Sequence, residues 1–390
     1  MHSQSAEERS LKIAMLMREF SDNGGLELYA LKLVEGLLAR GHKVTVICQS
    51  NKTTFSHEHL RVVEFPQERA SGKQSKSLLL DFYYAKSGEL TKALGPFDIV
   101  HSQHLPTPNP DCVTFHNHTA CRLSKVGYFW ERLLNNAKLT FSAAYKSRRH
   151  YDGLLCRQAK MRIFVGAVMK DDFYEEYGLS DAPYAVAHPG ASLSEVSAEP
   201  DGAETRNFAN FLFVGKGFRK KGLDTLLAAC KILKSEGLKF HLNIAGLRPN
   251  FWKQAELAAL GLSKEVSYLG FRSDMQTVYS ENGTIVLPSK IEPFGMAPVQ
   301  GMQFGLVPIV SKISGVSEVL EDGVDALILK EHRNCRELAS LMKQLIDDQA
   351  LGKRLSAKAL AKSKQVTWER TIDETQAAYS RLLAGQRGKA

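Results

Sequence analysis

Two α/β domains, each a parallel sheet wound with helices, are what this sequence predicts. Three observations carry that expectation. The chain has 390 residues, more than one hydrophobic core usually serves. Short apolar runs alternate with segments of helical period from Lys12 to Phe115. The same alternation restarts at Asn210, after a stretch rich in Ser, Ala, Glu, Pro and Gly, Gly190–Asn207.

Lys12–Met17 (KIAMLM) reads as a buried parallel strand, and Arg18–Gly25 as a loop ending in paired glycines. Leu26, Tyr29, Leu33, Val34, Leu37 and Leu38 then recur at helical spacing, with Gly41 as the C-terminal cap. Lys43–Cys48 is the next strand, so strand, helix and strand open a doubly wound domain with a right-handed crossover. Phe97–His101 and Asp111–Phe115 extend this sheet, and the basic segment after them is mostly helical in pattern. In the second half Asn210–Val214, Lys239–Ala245, Glu265–Leu269, Thr284–Leu287 and Val307–Val310 read as strands, and Gly222–Ser235 as a helix. The expected organisation is a first domain over 1–189, a linker over 190–207, a second domain over 208–365 and a closing helix over 366–390. Two such domains facing one another make a cleft, and open α/β sheets bind ligands at the carboxyl ends of their strands.

Composition narrows the function. With 44% hydrophobic and 24% charged residues, disorder and collagen-like structure are excluded as overall descriptions. Met1–Ser10 is polar and carries two Glu, unlike a signal peptide. No apolar run nears the roughly 20 residues of a spanning helix, and Met161–Met169 is short and interrupted by Arg162. The six cysteines are scattered without a C-x-x-C pair, as reduced thiols would be, so a cytoplasmic location is expected. Net charge is +9, and Cys121–Lys170 alone supplies that much, with eleven Lys and Arg against Glu131 and Asp152. So local an excess predicts an anionic partner surface.

Four groups of residues are candidates for chemistry. Val214–Gly222 (VGKGFRKKG) follows a strand and opens a helix; its glycines allow tight turns, and Arg219, Lys220 and Lys221 bring positive charge to a helix N-terminus. That suits a diphosphate. It is neither a dinucleotide fingerprint nor a P-loop, since Lys220 and Leu223-Asp224 stand where those motifs need Gly and Lys-Ser/Thr. The plain alternative is a solvated basic turn. Pro288–Gln300 (PSKIEPFGMAPVQ) sets Glu292 in a loop that Gly295 turns into a helix, with Gln300 further along it. Backbone N–H groups at Gly295, Met296 and Ala297 are free to bind a sugar hydroxyl or a phosphate. Gly24-Gly25, with Glu27 behind, either admits a ligand phosphate or simply makes a loop. Of His101, His104, His116 and His118, His116 is the favoured candidate because it follows the strand Cys112–Phe115 and so sits at a carboxyl edge, where substrates bind; the spacing fits no zinc pattern. Neither a G-x-S-x-G elbow nor H-E-x-x-H occurs, against a serine hydrolase or a zincin.

These residues resemble the retaining GT-B glycosyltransferases of family 4, over about Lys12 to Leu383. The resemblance rests on GGLELYALKLVEGLLARGHKVTVICQS, FVGKGFRKKGLDTLL, YLGFRSDMQTVYS, LPSKIEPFGMAPVQGMQFGLVPIVS and the closing VTWERTIDETQAAYSRLL. Within the family the chain looks most like lipopolysaccharide core glucosyltransferases of the WaaG type, through its GGL opening, its R-K-G turn and YKSRRHYDGLL. The resemblance implies a GT-B fold whose C-terminal helix returns to the first domain. It implies that Lys220 and Lys221, with Arg219 nearby, hold a donor diphosphate, and that Glu292, first acid of an E-x7-E signature, meets the donor sugar. Phe294, Gly295 and Met296 would bind sugar and phosphate through backbone, Phe271 and Arg272 would flank the base, and Gly24-Gly25 would approach the diphosphate. His116 matches a histidine close to the transferring sugar, so that His116, Lys221 and Glu292 form the implied catalytic set. The second signature acid is Gln300 here, which keeps hydrogen-bonding capacity but no charge.

The implied reaction moves a hexose, with UDP-glucose the expected donor, to a glycan or glycolipid such as lipopolysaccharide core, without a metal or other cofactor. Arg122, Lys125, Trp130, Arg132, Lys146, Arg148 and Arg149 are then expected to meet acceptor and membrane, on the cytoplasmic face of the inner membrane. The alternative for that segment is ordinary helical core with a charged outer face. Rival functions are a non-catalytic nucleotide-sugar binder, marked by Gln300, a GT-B-fold epimerase or phosphorylase, and nucleic-acid binding, for which no recognised module is present.

Overall fold

The structure, a computed structural model, describes residues 9–66, 76–126, 128–191 and 206–387. Most of the expected linker, 192–205, lies outside the described residues, as do 388–390. The chain divides into two compact units: one takes the chain up to Val165, Met169–His188 and the chain from Trp368; the other takes Gly166–Val168 and Pro189–Thr367.

The first unit holds a parallel sheet of β1 (Lys12–Phe20), β2 (Lys43–Asn51), β3 (Leu60–Glu64), β4 (Ile99–Ser102), β5 (Cys112–Phe115), β6 (Met161–Phe164) and β7 (Tyr184–Val186). Its order is β3-β2-β1-β4-β5-β6-β7. The unbroken burial of Ile13–Met17 is what a central parallel strand, covered on both faces, requires. Helix Gly25–Ala39 buries Tyr29, Leu33, Val34 and Leu37, the positions its period predicts, and Gly41 follows it at φ +79.

The second unit repeats the plan with β8 (Asn210–Val214), β9 (His241–Ala245), β10 (Val266–Gly270), β11 (Thr284–Leu287), β12 (Val307–Ser311) and β13 (Leu327–Leu329), in the order β10-β9-β8-β11-β12-β13. In both sheets the winding reverses between the first strand and the fourth, β1/β4 and β8/β11. Loops leaving the carboxyl ends of those strands border a crevice, the usual ligand position in such folds.

Helix Trp368–Arg387 belongs to the first unit, although the whole second unit precedes it in the chain. There it packs on helix Gly25–Ala39, so closely at Gly36 that an added Cβ would collide with Ile372. Its Tyr379 hydroxyl lies 2.6 Å from His101 Nδ1, and its Thr371 hydroxyl donates to the His188 carbonyl at 2.6 Å.

Strands β3, β6, β7 and β13 were not anticipated. In β6 the Arg162 guanidinium is buried and donates to the Cys156 carbonyl at 2.7 Å and the Arg157 carbonyl at 3.4 Å. Those carbonyls end helix Ala143–Gln158, whose last turn lacks internal donors, so a buried Arg is satisfied there.

Candidate functional site

In the second unit two loops meet at the β8/β11 reversal. The loop after β8 turns on itself, with Lys221 N donating to Gly217 O at 2.9 Å and Leu223 N to Phe218 O at 3.1 Å. Gly222 takes φ +73, and a Cβ there would run into the Pro288 carbonyl, so the loop after β11 lies directly against it. Lys290 N and Ile291 N both donate to Lys220 O, at 2.8 and 3.3 Å. The Lys290 ammonium, buried, pairs with Asp224 at 2.6 Å.

This scaffold fixes one ion pair at its centre. The stem of Lys221 crosses Gly215, where any side chain would occupy the same space, and its Nζ sits 2.8 Å from Glu292 Oε2. Arg219 and Lys220 are exposed beside it. Gly295, at φ +103, precedes helix Met296–Gln303, whose first-turn N–H groups have no acceptor within the helix. The Phe294 side chain is core and its carbonyl accepts from Val316 N at 2.8 Å, so the Phe294 side chain is not available at the surface of this loop. Gln300 Oε1 accepts from the buried Tyr279 hydroxyl at 3.2 Å. Phe271 stands exposed with the Lys216 ammonium 5.0 Å from its ring centre, while Arg272 is turned to Asp274. Lys216 was not among the expected residues; a single exposed lysine carries no pattern, and only its place over Phe271 marks it. The arrangement offers clustered cations and helix N–H groups to an anion, a carboxylate beside them, and an exposed ring on which a planar group can stack.

In the first unit the histidines form a chain of contacts rather than a ligand set. Burial pushes the His101 imidazole down to about 3, and its Nε2 lies 2.8 Å from the Thr114 hydroxyl. His116 is buried edge-on to Tyr29, with Nε2 2.8 Å from Gln103 Oε1. Burial first, and then the nearby His104 and His101, hold its pKa well below the usual value, so the ring is neutral near pH 7. His104 sits at φ +57 with Nε2 3.1 Å from Asp152 Oδ1, and His118 pairs with Asp172 at 3.1 Å. Among the described residues no three His, Cys, Asp or Glu side chains gather as metal ligands would. Gly24 takes φ +132, and the Glu27 carboxylate lies where a Cβ at that position would stand; Gly25 begins the helix.

The expected basic surface needs correction. The positive stretch ends at Lys170, where helix Lys170–Tyr177 (KDDFYEEY) begins, and the acids of that helix fold back on it. Arg122 pairs with Asp172 at 3.1 Å, Lys125 with Glu175 at 2.8 Å and Arg149 with Glu176 at 3.0 Å, while Arg148 faces Asp152 at 3.4 Å. Arg132 Nε donates to the Ser124 carbonyl at 3.3 Å and Lys146 stays exposed. Helix Phe129–Phe141 is likewise not core: it buries no residue, and Phe129 and Trp130 are each 70% exposed and Phe141 83%. No helix among the described residues is long and apolar enough to cross a membrane.

Comparison with known proteins agrees with this architecture. Residues 199–362 match the family described as glycosyl transferases group 1, and residues 23–195 match glycosyltransferase family 4. An uncharacterized glycosyltransferase of Methanocaldococcus jannaschii is 23% identical over 81% of this chain and 84% of its own. A D-inositol 3-phosphate glycosyltransferase of Nocardia farcinica is 24% identical over 98% of this chain and 92% of its own. Among solved structures, WaaG, a glycosyltransferase involved in lipopolysaccharide biosynthesis, aligns with TM-score 0.72 at 16% identity, over 94% of this chain and 98% of that one. The Anabaena protein HepE in complex with UDP-glucose aligns with TM-score 0.64 at 16% identity, over 95% and 100%. Both halves of the chain match glycosyltransferase families and both sheets have the doubly wound order, so the protein is a group 1 glycosyltransferase with the GT-B fold.

Proposed function

We propose that this enzyme transfers a hexose, with glucose from UDP-glucose the leading choice, to a glycolipid acceptor of the lipopolysaccharide-core kind, with retention of configuration. The observation that carries the donor half is the Lys221–Glu292 pair, held at 2.8 Å over Gly215 at the β8/β11 reversal. A donor diphosphate beside Lys220 and Lys221 competes for the Lys221 ammonium and leaves the Glu292 carboxylate to accept sugar hydroxyls. Phe271 offers its face to the base, and the Anabaena relative's complex with UDP-glucose supports a nucleotide-sugar at such a site. Charge growing on the leaving diphosphate is met by Lys220, Lys221 and the N-terminus of helix Met296–Gln303, cations that do the work in place of a metal. Retention is carried from the family resemblance, through attack on the face the diphosphate leaves. Neutral His116 is then a hydrogen-bonding partner of the transferring sugar. The exposed face of helix Phe129–Phe141 supports docking at the cytoplasmic face of the inner membrane, where such an acceptor lies.

The test is turnover of UDP-glucose, by UDP release, in wild type, Lys221→Ala and Glu292→Ala. Removal of one preorganised charge partner lowers kcat roughly 100- to 1,000-fold. Wild-type turnover in either folded variant overturns the site, and loss of activity on adding EDTA overturns the metal-free mechanism.

A further inference from the structure

His116 is the first residue after β5, and it is held at two points, each of which fixes where a proton sits. Its backbone N–H donates to His104 Nδ1 at 3.3 Å. A backbone N–H can only donate, so Nδ1 of His104 carries no hydrogen. The proton of that ring is therefore on Nε2, which donates to Asp152 Oδ1 at 3.1 Å. The Asp152 carboxylate thus orients His104, and His104 orients the backbone at His116.

The ring of His116 is held by Gln103, a buried residue that follows β4. Gln103 N donates to the Leu16 carbonyl at 2.7 Å, which anchors it to β1. Its amide nitrogen lies 3.1 Å from Met15 Sδ and 3.4 Å from His101 Nε2, and its Oε1 lies 2.8 Å from His116 Nε2. A thioether sulfur only accepts, so the amide presents its nitrogen to Met15 and its oxygen to His116. An amide oxygen also only accepts. The single ring hydrogen of neutral His116 is therefore on Nε2, pointing into the protein. Nδ1 is left with its lone pair. It has no hydrogen-bond partner among the described residues and is not sealed from solvent. Tyr29, edge-on with ring centres 4.9 Å apart, packs against the imidazole and restrains it.

We propose that Gln103 is a positioning residue that fixes His116 as the Nε2–H tautomer, so that His116 serves the sugar as a hydrogen-bond acceptor through Nδ1. The assignment rests on the reading that His116 meets the transferring sugar, and adds to it the polarity of that contact. A free sugar hydroxyl donates to Nδ1, and a sugar that presents only an acceptor there, such as a carboxylate, is refused. With its one proton turned inward, His116 is not set up to protonate the departing diphosphate.

Long-range proton–nitrogen NMR correlation of the full chain carrying nitrogen-15 histidine reads the tautomer, with His116 assigned by the signals lost in His116→Phe. Wild type is expected to show the Nε2–H form alone near neutral pH. In Gln103→Leu the inward acceptor is gone, and the Nδ1–H form, whose proton can reach water, is expected to become the major one. In the same variant kcat with UDP-glucose should fall roughly tenfold, the effect of one lost hydrogen bond, while calorimetry finds the affinity for UDP, which has no sugar to lose, unchanged. If Gln103→Leu fails to fold, the wild-type spectrum decides alone: an Nδ1–H or doubly protonated ring there overturns the proposal. An unchanged tautomer in folded Gln103→Leu overturns the role of Gln103. A changed tautomer with wild-type kcat overturns the acceptor role of Nδ1. Wild-type turnover in His116→Phe shows instead that the sugar does not meet His116; the underlying reading then falls and takes the acceptor role with it, whatever tautomer the spectrum gives.

Discussion

Gln300 stands where the family resemblance expects an acid, and the structure gives it a definite partner in the Tyr279 hydroxyl. A glutamate there accepts the same hydrogen bond and adds a charge, and charge-assisted hydrogen bonds are roughly twice as strong as neutral ones. If position 300 meets the nucleotide, as the signature implies, Gln300→Glu is expected to tighten UDP binding several-fold and to leave the fold unchanged; calorimetry that finds equal or weaker affinity removes Gln300 from the nucleotide site. Lys221 and Glu292 were legible because each sits in a compact run of glycine, proline and charge whose local conformation follows from sequence. Asp152 was not. It stood in the sequence as a mere counter-charge among basic residues, and its partner His104 lies 48 positions earlier. Only packing brings the two together.

Helices and strands were legible in proportion to the regularity of their patterns. Thr284–Leu287 has its expected bounds, and Gly25–Ala39 buries its expected face. The charge excess misled because counting stopped at an element boundary: Lys170–Tyr177 carries the acids that answer Arg122, Lys125 and Arg149. For the proposed membrane docking, what remains is mainly the exposed apolar residues of Phe129–Phe141, so apolar contact is expected to outweigh charge. Each buried Å² of apolar surface is worth about 25 cal/mol. In vesicle co-sedimentation the protein should prefer anionic to neutral lipid, with binding reduced by salt. Trp130→Ser with Phe141→Ser should lower binding at least tenfold, more than Lys146→Ala does. A larger effect from Lys146→Ala would reverse that ranking of forces, and equal binding to neutral vesicles would remove charge from the contact altogether.

At the scale of the molecule the repeated winding was legible, since each sheet is announced by its own strand–helix–strand opening. The way the chain ends was legible only through the family resemblance, because Trp368–Arg387 is amphipathic without naming its partner. Its fit against Gly36 and its bonds to His101 and His188 make it part of the first unit's core. A fragment of residues 9–188 should accordingly melt without a cooperative transition, and adding the peptide 368–387 in trans should restore one by near-ultraviolet circular dichroism. Cooperative melting of the fragment alone would make the helix an accessory. The crossing also sets an order of assembly. Pro189–Thr367 is nearly all of the second unit in one continuous stretch, complete as it is made, whereas the first unit, begun earlier on the ribosome, cannot close until Trp368–Arg387 emerges. During synthesis the older half waits for the younger, with the groove beside Gly36 uncovered. The nascent protein is therefore most exposed to aggregation and to chaperones over the whole interval in which its second half is being translated.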